Sequence, residues 1–567
     1  MMKASELLIS AAIAVGVAAG QTPTIHPMTV QPVTIQVNLA QPMGSYEPIT
    51  NWFGYDESNY TNMPYGEQLL SELHALSAAP VTIRTHHLLT SGNGVPELKW
   101  SSSNVFRLDE SGKPVYDFTI TDRTFDAFER AGVRPMVELG FMPKDLAATV
   151  PGIGAYQLHY PAHTMGGASN NPPKDYKMWG ELVRRYTAHL VERYGRERVS
   201  SWYFEVWNEP DIDYWHGTPA EYFKLYDYAV AGVRAALPGA KVGGPASTGP
   251  ASAKASAFLE SFLEHCLHDK SAANGGRVPL DFISFHPKGR PTLVDGHLRM
   301  GLSNELQAAE TGFQIVATHP ELRHLPIILS EADPEGCAAC SAKENPANAY
   351  RNGPHYAAYT ATAVKALFDL EDKNHVNLIA MLSWSFEFEN EGYFEGYRTL
   401  ATHGIDKPIL NLFRMAGMMG GERVMTTSTG EVPLEELVKT GVRAAPDVDA
   451  LATKSEHEAA VMVWNYHDDD VAAPDAEVQV TIAGIPPGVK RVQLEHYRID
   501  ETHSNAFTAW KKMGSPQAPT AAQYEELKEA GQLQLFTSPE WLEVAGGKVT
   551  VDTALPRQAV SLLRLEW

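Results

Sequence analysis

The chain has 567 residues, of which 46 are Lys or Arg and 68 are Asp or Glu, so its formal net charge is −22 at neutral pH. A surface this acidic repels phosphate backbones, and no long run of Lys and Arg forms a basic patch, so nucleic acid is excluded as a general partner. With 44% hydrophobic and 20% charged residues, the composition is typical of a folded globular protein. The length suits one large domain and one smaller domain.

The first twenty residues have the pattern of a secretory signal peptide. Lys3 precedes a short, mostly apolar stretch at 7–20, and a polar segment follows from Gln21. The stretch is too short to cross a bilayer as a stable helix, and no later segment reaches that length. We therefore expect residues 1–20 to be removed and the mature protein to be periplasmic or secreted, with no membrane partner. A buried N-terminal helix is the alternative.

Eight apolar, β-rich segments follow, separated by helical patterns such as 221–237. Strands that alternate with helices indicate parallel βα units. Eight units predict an α/β fold, a (β/α)₈ TIM barrel over residues 46–420, with a long loop at 143–176. The predicted strands are 51–55, 81–89, 134–141, 202–210, 241–247, 282–289, 326–334 and 380–388.

The pattern changes after about residue 425, where short strand-like runs are bounded by Gly, Pro and Asp. These runs predict a C-terminal antiparallel β-sandwich domain over residues 421–567, interrupted by a helix at 521–530. The N-terminal segment 21–45 contains a strand-like run at 33–39 that we expect to pair with this sandwich. The predicted sandwich strands are 459–467, 477–485, 490–499, 533–537, 548–553 and 559–567.

Cysteine is sparse, with Cys266, Cys337 and Cys340 as its three occurrences. Cys337 and Cys340 lack the second pair that a structural zinc site needs. In an oxidising compartment they would form a local disulfide, and two free thiols on a loop are the alternative. We predict no metal site and no cofactor.

Polar residues cluster at the carboxyl ends of the predicted barrel strands. The βα loops of a TIM barrel open there, and burying polar groups without a purpose is costly, so the cluster indicates a site. Its members are Arg84 and His86 in the second segment, Asn208 and Glu209 in the fourth, His286 and Lys288 in the sixth, Glu331 and Asp333 in the seventh, and Trp384 and Glu387 in the eighth.

The fourth segment reads Trp-Tyr-Phe-Glu-Val-Trp-Asn-Glu-Pro at 202–210. A carboxylic acid beside an amide and aromatic walls is partly desolvated, which raises its pKa towards the range of a proton donor. We therefore expect Glu209 to be a general acid. Glu331 supplies a second carboxylate three strands further round the barrel. One protonated and one ionised Glu across a single mouth form the pair that cleaves a glycosidic bond.

With these motifs, the chain resembles the retaining (β/α)₈ glycosidases and, more narrowly, glycoside hydrolase family 39. Characterised members of that family are mostly β-xylosidases and α-L-iduronidases. The resemblance covers nearly the whole chain. It rests on residues 82–89, 204–211, 282–289, 330–340, 383–389 and 404–408.

The resemblance implies a role for each residue of the cluster. Glu209 would be the acid/base and Glu331 the nucleophile that forms a covalent glycosyl-enzyme, with carboxyl groups about 5–5.5 Å apart. Asn208 would hydrogen-bond the hydroxyl next to the anomeric carbon. His86 and His286 would contact sugar hydroxyls or orient a carboxylate, Trp384 would wall the subsite of the terminal sugar, and Glu387 is a further expected substrate contact. Structural roles are the alternative for the two histidines and Trp384, and Arg84 is expected to orient a carboxylate.

The type of sugar is the open choice. Lys288 and Arg398 stand where basic residues of the iduronidase branch hold a substrate carboxylate, and Arg suits a bidentate grip. Residues 333–340 resemble the bacterial xylosidase branch, although Lys288 replaces an aromatic residue that many xylosidases of the family carry.

We expect an exo-acting retaining β-xylosidase whose partner is an oligosaccharide substrate and which releases xylose from the non-reducing end. The alternatives are an α-L-iduronidase-like glycuronidase, an α-L-arabinofuranosidase and, outside the enzymes, an inactive carbohydrate-binding barrel. No oligomeric state is predicted.

Overall fold

The computed structural model describes residues 32–98, 101–152, 170–337, 339–384 and 387–567. The expected signal peptide at 1–20 lies outside these residues, as do residues 21–31 of the N-terminal segment. Among the helices that the structure describes, none combines the length and the apolar content that a bilayer crossing requires.

Parallel strands form a closed barrel, which confirms the predicted α/β fold class. The eighth strand is split at Leu382. Its first part pairs with the seventh strand and its second part with the first, and this double pairing closes the ring. Barrel strands one to eight are Trp52–Tyr55, Thr82–Thr85, Arg134–Leu139, Tyr203–Val206, Lys241–Thr248, Phe282–His286, Pro326–Leu329, and Asn377–Met381 with Ser383–Trp384.

A helix follows each barrel strand, as the alternation of patterns predicts. In the fourth of these helices, Thr218 and Glu221 form a capping box and Pro219 occupies the first turn, so the sequence itself fixes where the helix begins. The eight helices are Pro64–His74, Thr119–Ala131, Tyr176–Tyr194, Pro219–Ala236, Ala253–His268, Leu302–Ala317, Pro354–Asn374 and Pro408–Gly417.

Ten further strands form the second sheet. Its strands pair antiparallel except Val33–Ser45 with Ala476–Ala483, which are parallel. Aliphatic side chains from distant strands, such as Ile35, Val461 and Leu563, meet in one buried cluster, as in a sandwich. The other strands are Glu422–Ser428, Asp447–Lys454, Glu458–Tyr466, Arg491–Ile499, Gln534–Leu535, Glu540–Glu543, Lys548–Leu555 and Val560–Glu566.

Two long strands of this sheet, Glu422–Ser428 and Asp447–Lys454, are missing from the sequence prediction. Seven of the eight residues of Asp447–Lys454 are buried. Leu451 packs with the barrel core, whereas Ala450 packs with the sandwich core. Burial on both faces removes the simple contrast of one apolar and one polar face, and no strand and helix alternation marks this part of the chain.

The insertion at 505–530 contains two helices, Ala506–Lys512 and Ala521–Gly531, where the sequence predicts one. It contacts the loop after barrel strand eight. Gln517 bonds the backbone N–H and carbonyl of Tyr393 at 2.8 and 3.1 Å, and the Tyr524 hydroxyl donates to the His403 carbonyl at 2.9 Å. The insertion therefore reaches the end of the barrel where the polar residues cluster.

Cys337 and Cys340 form a disulfide in the loop after barrel strand seven. The buried Arg351 donates to the carbonyl oxygens of Cys337 and Cys340 at 2.9 and 3.0 Å, and it pairs with Glu335 at 2.5 Å. These contacts fix the loop that begins directly after Glu331.

Candidate active site

Glu209 and Glu331 lie close together at the carboxyl end of the barrel. A carboxylate oxygen of each lies within 4.8 Å of the other and of a ring nitrogen of His286. The Glu209 side chain is 15% exposed and that of Glu331 is 9% exposed, so both carboxylates remain reachable from outside. The two glutamates that the motifs indicate thus lie close enough to act on one bond.

The backbone at Glu209 is held in an uncommon conformation. Trp207 and Glu209 have φ of 73° and 45°, in the left-handed region. A non-glycine residue there costs of order 1–3 kcal/mol and persists only where its surroundings fix it. The Glu209 amide donates to the Ala246 carbonyl at 2.8 Å, and the Trp207 indole donates to the Tyr214 carbonyl at 2.9 Å. The chain thereby turns directly after barrel strand four, which places Glu209 beside His286.

Glu331 is surrounded by positive charge. The Lys288 ammonium lies 2.8 Å from one of its oxygens, Arg84 lies at 3.4 Å and Arg398 at 3.7 Å. Burial by itself would raise the pKa of Glu331. Lys288, Arg84 and Arg398, and His286 at the low pH at which its ring is protonated, together outweigh that effect and hold the pKa of Glu331 well below its usual range. Glu331 is therefore ionised at neutral pH.

Glu209 has the opposite surroundings. Burial, and then the negative charge of Glu331, raise the pKa of Glu209 to about 8, although Lys288 and Arg84 offset part of the rise. The nearest ring nitrogen, His286 Nδ1, lies 3.0 Å from Glu209, and burial lowers the pKa of His286 to about 4, so this ring is neutral at pH 7. Glu209 is consequently protonated at neutral pH.

Arg84 connects the pocket to buried acids that the sequence analysis missed. Its side chain is fully buried, and it donates to Glu205 at 2.6 Å and to the Asn208 amide oxygen at 3.0 Å, while Glu138 lies 3.2 Å away. Glu138 and Glu205 each stand between apolar neighbours inside a barrel strand, Arg134–Leu139 and Tyr203–Val206. A lone Glu within such a strand is the sequence signal that could have revealed them.

His86 lies in this buried layer and not between the two glutamates. Its Nδ1 is 3.1 Å from Asp56 and its Nε2 is 3.0 Å from Glu138. Burial lowers the pKa of His86 well below its usual value, and burial together with Glu331 raises the pKa of Asp56 to about 7. Asp56 directly follows barrel strand one, so the rule that selected the other strand ends could have included it.

Trp384 forms an apolar wall beneath the cations. Its ring is 1% exposed and lies 5.4 Å from the Arg84 guanidinium and 5.5 Å from that of Arg398. Its backbone N–H donates to Asp333 at 2.8 Å. Lys288 and Arg398 also approach Asp333, at 3.9 and 3.5 Å. Trp384, Lys288 and Arg398 thus lie in one group with Glu331 and Asp333, and their contact with a sugar stays a prediction.

Glu387 is placed elsewhere. Its carboxylate is buried and accepts the Gly404 backbone N–H at 2.6 Å. Its charged neighbours are Glu72, Lys407 and Glu389, outside the group around the two glutamates, and burial raises its pKa well above the usual value. The described contacts of Glu387 thus join it to Gly404 and not to Glu209 or Glu331, and the sugar contact expected of it stays a prediction.

Among the residues that the structure describes, two groups of side chains bring donor atoms within 4.8 Å of one another and could hold a cation: Glu209, His286 and Glu331, and Asp56, His86 and His87. In the first group, Lys288 and Arg84 already neutralise Glu331. A divalent cation there would meet two positive charges within a few ångströms, which is electrostatically unfavourable.

Comparison with known proteins agrees with this geometry. The family model described as Glycosyl hydrolases family 39 matches residues 83–541. A β-xylosidase of Caldicellulosiruptor saccharolyticus is 30% identical over 471 residues, which cover 81% of this chain and 85% of that protein. An α-L-iduronidase of Mus musculus is 28% identical over 424 residues, which cover 68% of this chain and 61% of that protein.

The fold also matches solved structures. A monomeric β-xylosidase from Caulobacter crescentus CB15 superposes with a TM-score of 0.73 at 21% sequence identity, covering 94% of this chain and 99% of that chain. At this identity the match establishes the shared barrel and sandwich.

Proposed function

The chain belongs to glycoside hydrolase family 39, and we propose that within this family it is an exo-acting, retaining β-xylosidase. It would release xylose from the non-reducing end of xylo-oligosaccharides. The β-xylosidase relative, which is 30% identical over most of both chains, supports this choice.

The observation that carries the proposal is the pairing of the two basic residues near the sugar site. Lys288 contacts Glu331 at 2.8 Å, and Arg398 donates to the Trp384 carbonyl at 3.2 Å and lies 3.5 Å from Asp333. The carboxylate of a uronic acid substrate needs Arg or Lys side chains that are not already paired with carboxylates of the protein. Cations that are engaged by protein carboxylates suit a neutral pentose better.

In the first chemical step, an oxygen of ionised Glu331 attacks the anomeric carbon while the bond to the leaving oxygen breaks. Protonated Glu209 gives its proton to that oxygen, and a glycosyl ester on Glu331 results. The two carboxylates approach within 4.8 Å, which is less than the roughly 6.5–9.5 Å that an inverting enzyme needs to seat a water molecule between them.

In the second step, the now ionised Glu209 removes a proton from water, and the water oxygen attacks the anomeric carbon. The ester bond to Glu331 breaks, so both glutamates return to their starting protonation states. Two displacements at one carbon restore its original configuration.

One observation favours a second candidate, a glycuronidase. Nη2 of Arg398 is buried and has no hydrogen-bond partner within the described ranges, because its nearest carboxylate oxygen, on Glu331, is 3.7 Å away. An unsatisfied guanidinium nitrogen could receive a substrate carboxylate.

Hydrolysis of nitrophenyl glycosides distinguishes the candidates. We expect kcat/KM for β-D-xyloside to exceed that for α-L-iduronide and α-L-arabinofuranoside by at least roughly 10²-fold. Faster hydrolysis of the iduronide would assign the enzyme to the second candidate. Absence of turnover with every glycoside, in folded protein, would leave a carbohydrate-binding barrel. The Glu331→Gln variant is the matched control for background hydrolysis.

We also propose that the protein acts outside the cytoplasm. The Cys337–Cys340 disulfide supports this location, since such bonds persist in oxidising compartments. Mass spectrometry of the protein from its native host should find an N-terminus close to residue 21, and a chain that retains residues 1–20 would contradict the proposal.

A further inference from the structure

A second cleft, of about 570 Å³, lies where the barrel meets the sandwich. Two of its walls are loops of the barrel, the hairpin at 292–299 and the segment that leads into helix Pro354–Asn374. Both loops follow barrel strands, so the cleft belongs to the same end of the barrel as Glu209 and Glu331. None of its lining residues is among those that contact the two glutamates.

The cleft contains hydrogen-bond donors and acceptors that the described protein groups leave unused. Nε and Nη1 of Arg557 are buried and have no hydrogen-bond partner within the described ranges. The His355 ring is 6% exposed. Its Nε2 lies 3.0 Å from the His467 carbonyl, but its buried Nδ1 has no such partner among the described residues. Buried polar atoms without partners are costly, which makes this a place where a ligand stabilises the protein.

Apolar groups stand beside these polar atoms. Leu293 and Val471 are 54% and 39% exposed, which is unusual for side chains of this kind, and the half-buried ring of Phe507 lines the same cleft. A sugar ring presents C–H groups on its faces and hydroxyls on its edge. A surface that combines apolar side chains with a few fixed polar atoms matches both.

The charge at the rim selects among possible ligands. Asp470, Asp475 and Glu501 are exposed lining residues, and Arg557 is the one Arg or Lys that lines the cleft among the described residues. Three carboxylates around one guanidinium, on a chain of net charge −22, repel uronates and phosphates. Neutral hydroxyls can donate to the carboxylates and accept from Arg557.

We propose that this cleft is a second carbohydrate-binding site, separate from the catalytic pocket, that takes a neutral oligosaccharide. Arg557 and His355 would hold hydroxyls, and Leu293, Val471 and Phe507 would contact the sugar faces. The volume lies within the roughly 300–1,000 Å³ of typical small-molecule sites. The inference rests on the proposed function only for the choice of xylan fragments as first probe.

Calorimetric titration of xylotetraose into the hydrolytically inactive Glu331→Gln enzyme tests the proposal. In this enzyme we expect two binding events per chain. Adding Arg557→Ala to Glu331→Gln should weaken the affinity of one of these events at least tenfold. Leu293→Asp, at an exposed position where folding is not at risk, should weaken the same event. Arg491→Ala, which removes an exposed Arg of the same sheet outside the cleft, should change neither event.

A single event in the Glu331→Gln enzyme, or two events that Arg557→Ala and Leu293→Asp leave unchanged, would overturn the proposal. Tighter binding of tetragalacturonate than of xylotetraose at this cleft would overturn its restriction to neutral sugars. The protein could fail to hydrolyse xyloside and still bind cellotetraose at this cleft, with binding that Arg557→Ala weakens at least tenfold. That result would support the second site and contradict the proposed β-xylosidase activity.

Discussion

At the scale of single residues, the division of roles between the two glutamates depends on what each one contacts. Lys288 and Arg84 lie 2.8 and 3.4 Å from Glu331, whereas the closest ring nitrogen to Glu209 belongs to the neutral His286. The same burial therefore leaves one carboxyl ionised and the other protonated. Opposite environments for paired carboxyls are the general way in which one site supplies both a nucleophile and an acid.

Removal of the Glu209 carboxyl should affect substrates according to their leaving group. Because only poor leaving groups need a proton, Glu209→Ala should lower kcat/KM for alkyl or sugar leaving groups by roughly 10²–10⁴-fold, but change the formation of the glycosyl-enzyme from dinitrophenyl glycoside little. Pre-steady-state kinetics with both substrate types measure the difference. Equal losses for the two types would remove Glu209 from the acid role.

The pH dependence of kcat/KM follows from the two pKa shifts. Activity should rise as Glu331 ionises, at a pH well below its usual pKa, and fall above about pH 8 as Glu209 loses its proton. Lys288 lowers the pKa of both glutamates. In Lys288→Met, both the rise and the fall of kcat/KM should therefore move to higher pH, and the rise on the acidic side should move by roughly 1–2 pH units. Lys343→Met, at a 79% exposed side chain, is the control and should leave the profile unchanged. If the rise of kcat/KM at acidic pH does not move in Lys288→Met, Lys288 is not what lowers the pKa of Glu331.

Sequence reasoning at this scale identifies polar residues at strand ends but not those inside strands. Glu209, Glu331 and His286 stand out in motifs, and the structure brings them together. Glu138 and Glu205 do not stand out, because a single polar residue inside a strand fits the usual alternation of polar and apolar residues. Their shared partner Arg84 becomes visible only in the folded barrel. Glu387 also stands near a predicted strand end, but its described contacts lie apart from Glu209 and Glu331, which its position in the sequence does not reveal.

At the scale of elements, the insertion at 505–530 supports the loop after barrel strand eight. Phe394 in that loop packs against Phe507 and Trp510, with ring centroids 5.5 and 5.2 Å apart. The same loop carries Arg398, which contacts Asp333 and Glu331. A part of the sandwich thus stabilises a wall of the catalytic pocket.

Trp510→Ala should loosen that loop. Because the Trp510 ring is half-buried, its removal should lower the free energy of unfolding by about 2 kcal/mol. Removal of a fully buried aromatic residue costs roughly 3–5 kcal/mol. Amide hydrogen exchange of residues 393–406 should increase. Trp541→Ala, at a 54% exposed Trp of the same sheet, should change stability by less than about 0.5 kcal/mol. Equal exchange in both variants would show that the insertion does not brace the loop.

The elements that could be predicted are those with clear end signals or with a place in the repeated alternation of strand and helix. The capping box at Thr218 and the eight strand and helix alternations belong to this group. Strand Asp447–Lys454 is buried on both faces, as the barrel strands are, but it lies outside the strand and helix alternation that marks those strands in the sequence. The parallel pairing of Val33–Ser45 with Ala476–Ala483 joins segments more than 400 residues apart, and its direction is decided by packing rather than by either segment.

At the scale of the whole molecule, side chains of the second sheet form part of the barrel core. In strand Glu458–Tyr466, Met462 and Trp464 pack with the barrel, while Val461 and Val463 pack with the sandwich. Paired charges add to the boundary, with Arg299 donating to both oxygens of Asp469 at 2.6 and 2.7 Å. The two bodies should therefore unfold together.

Met462→Ala tests this coupling. Loss of a buried Met side chain should cost roughly 2–5 kcal/mol and lower one cooperative transition, with hydrolytic activity and circular dichroism falling at the same temperature. Val480→Ala, inside the sandwich core, should shift the same transition. If either variant keeps its hydrolytic activity at temperatures at which the circular dichroism of its β-sheet is already lost, the barrel folds independently of the sandwich.

Trapping of the glycosyl-enzyme tests the central claim most directly, that Glu331 is the nucleophile opposite the acid Glu209. The enzyme is incubated with 2-deoxy-2-fluoro-β-xylosyl fluoride, whose fluorine at carbon two slows release of the intermediate, and is then digested for mass spectrometry. The account predicts one fluoroxylosyl group per chain, attached to Glu331 and absent from Glu331→Gln. A label on another residue, or no label in an enzyme that hydrolyses xyloside with inversion, would contradict it.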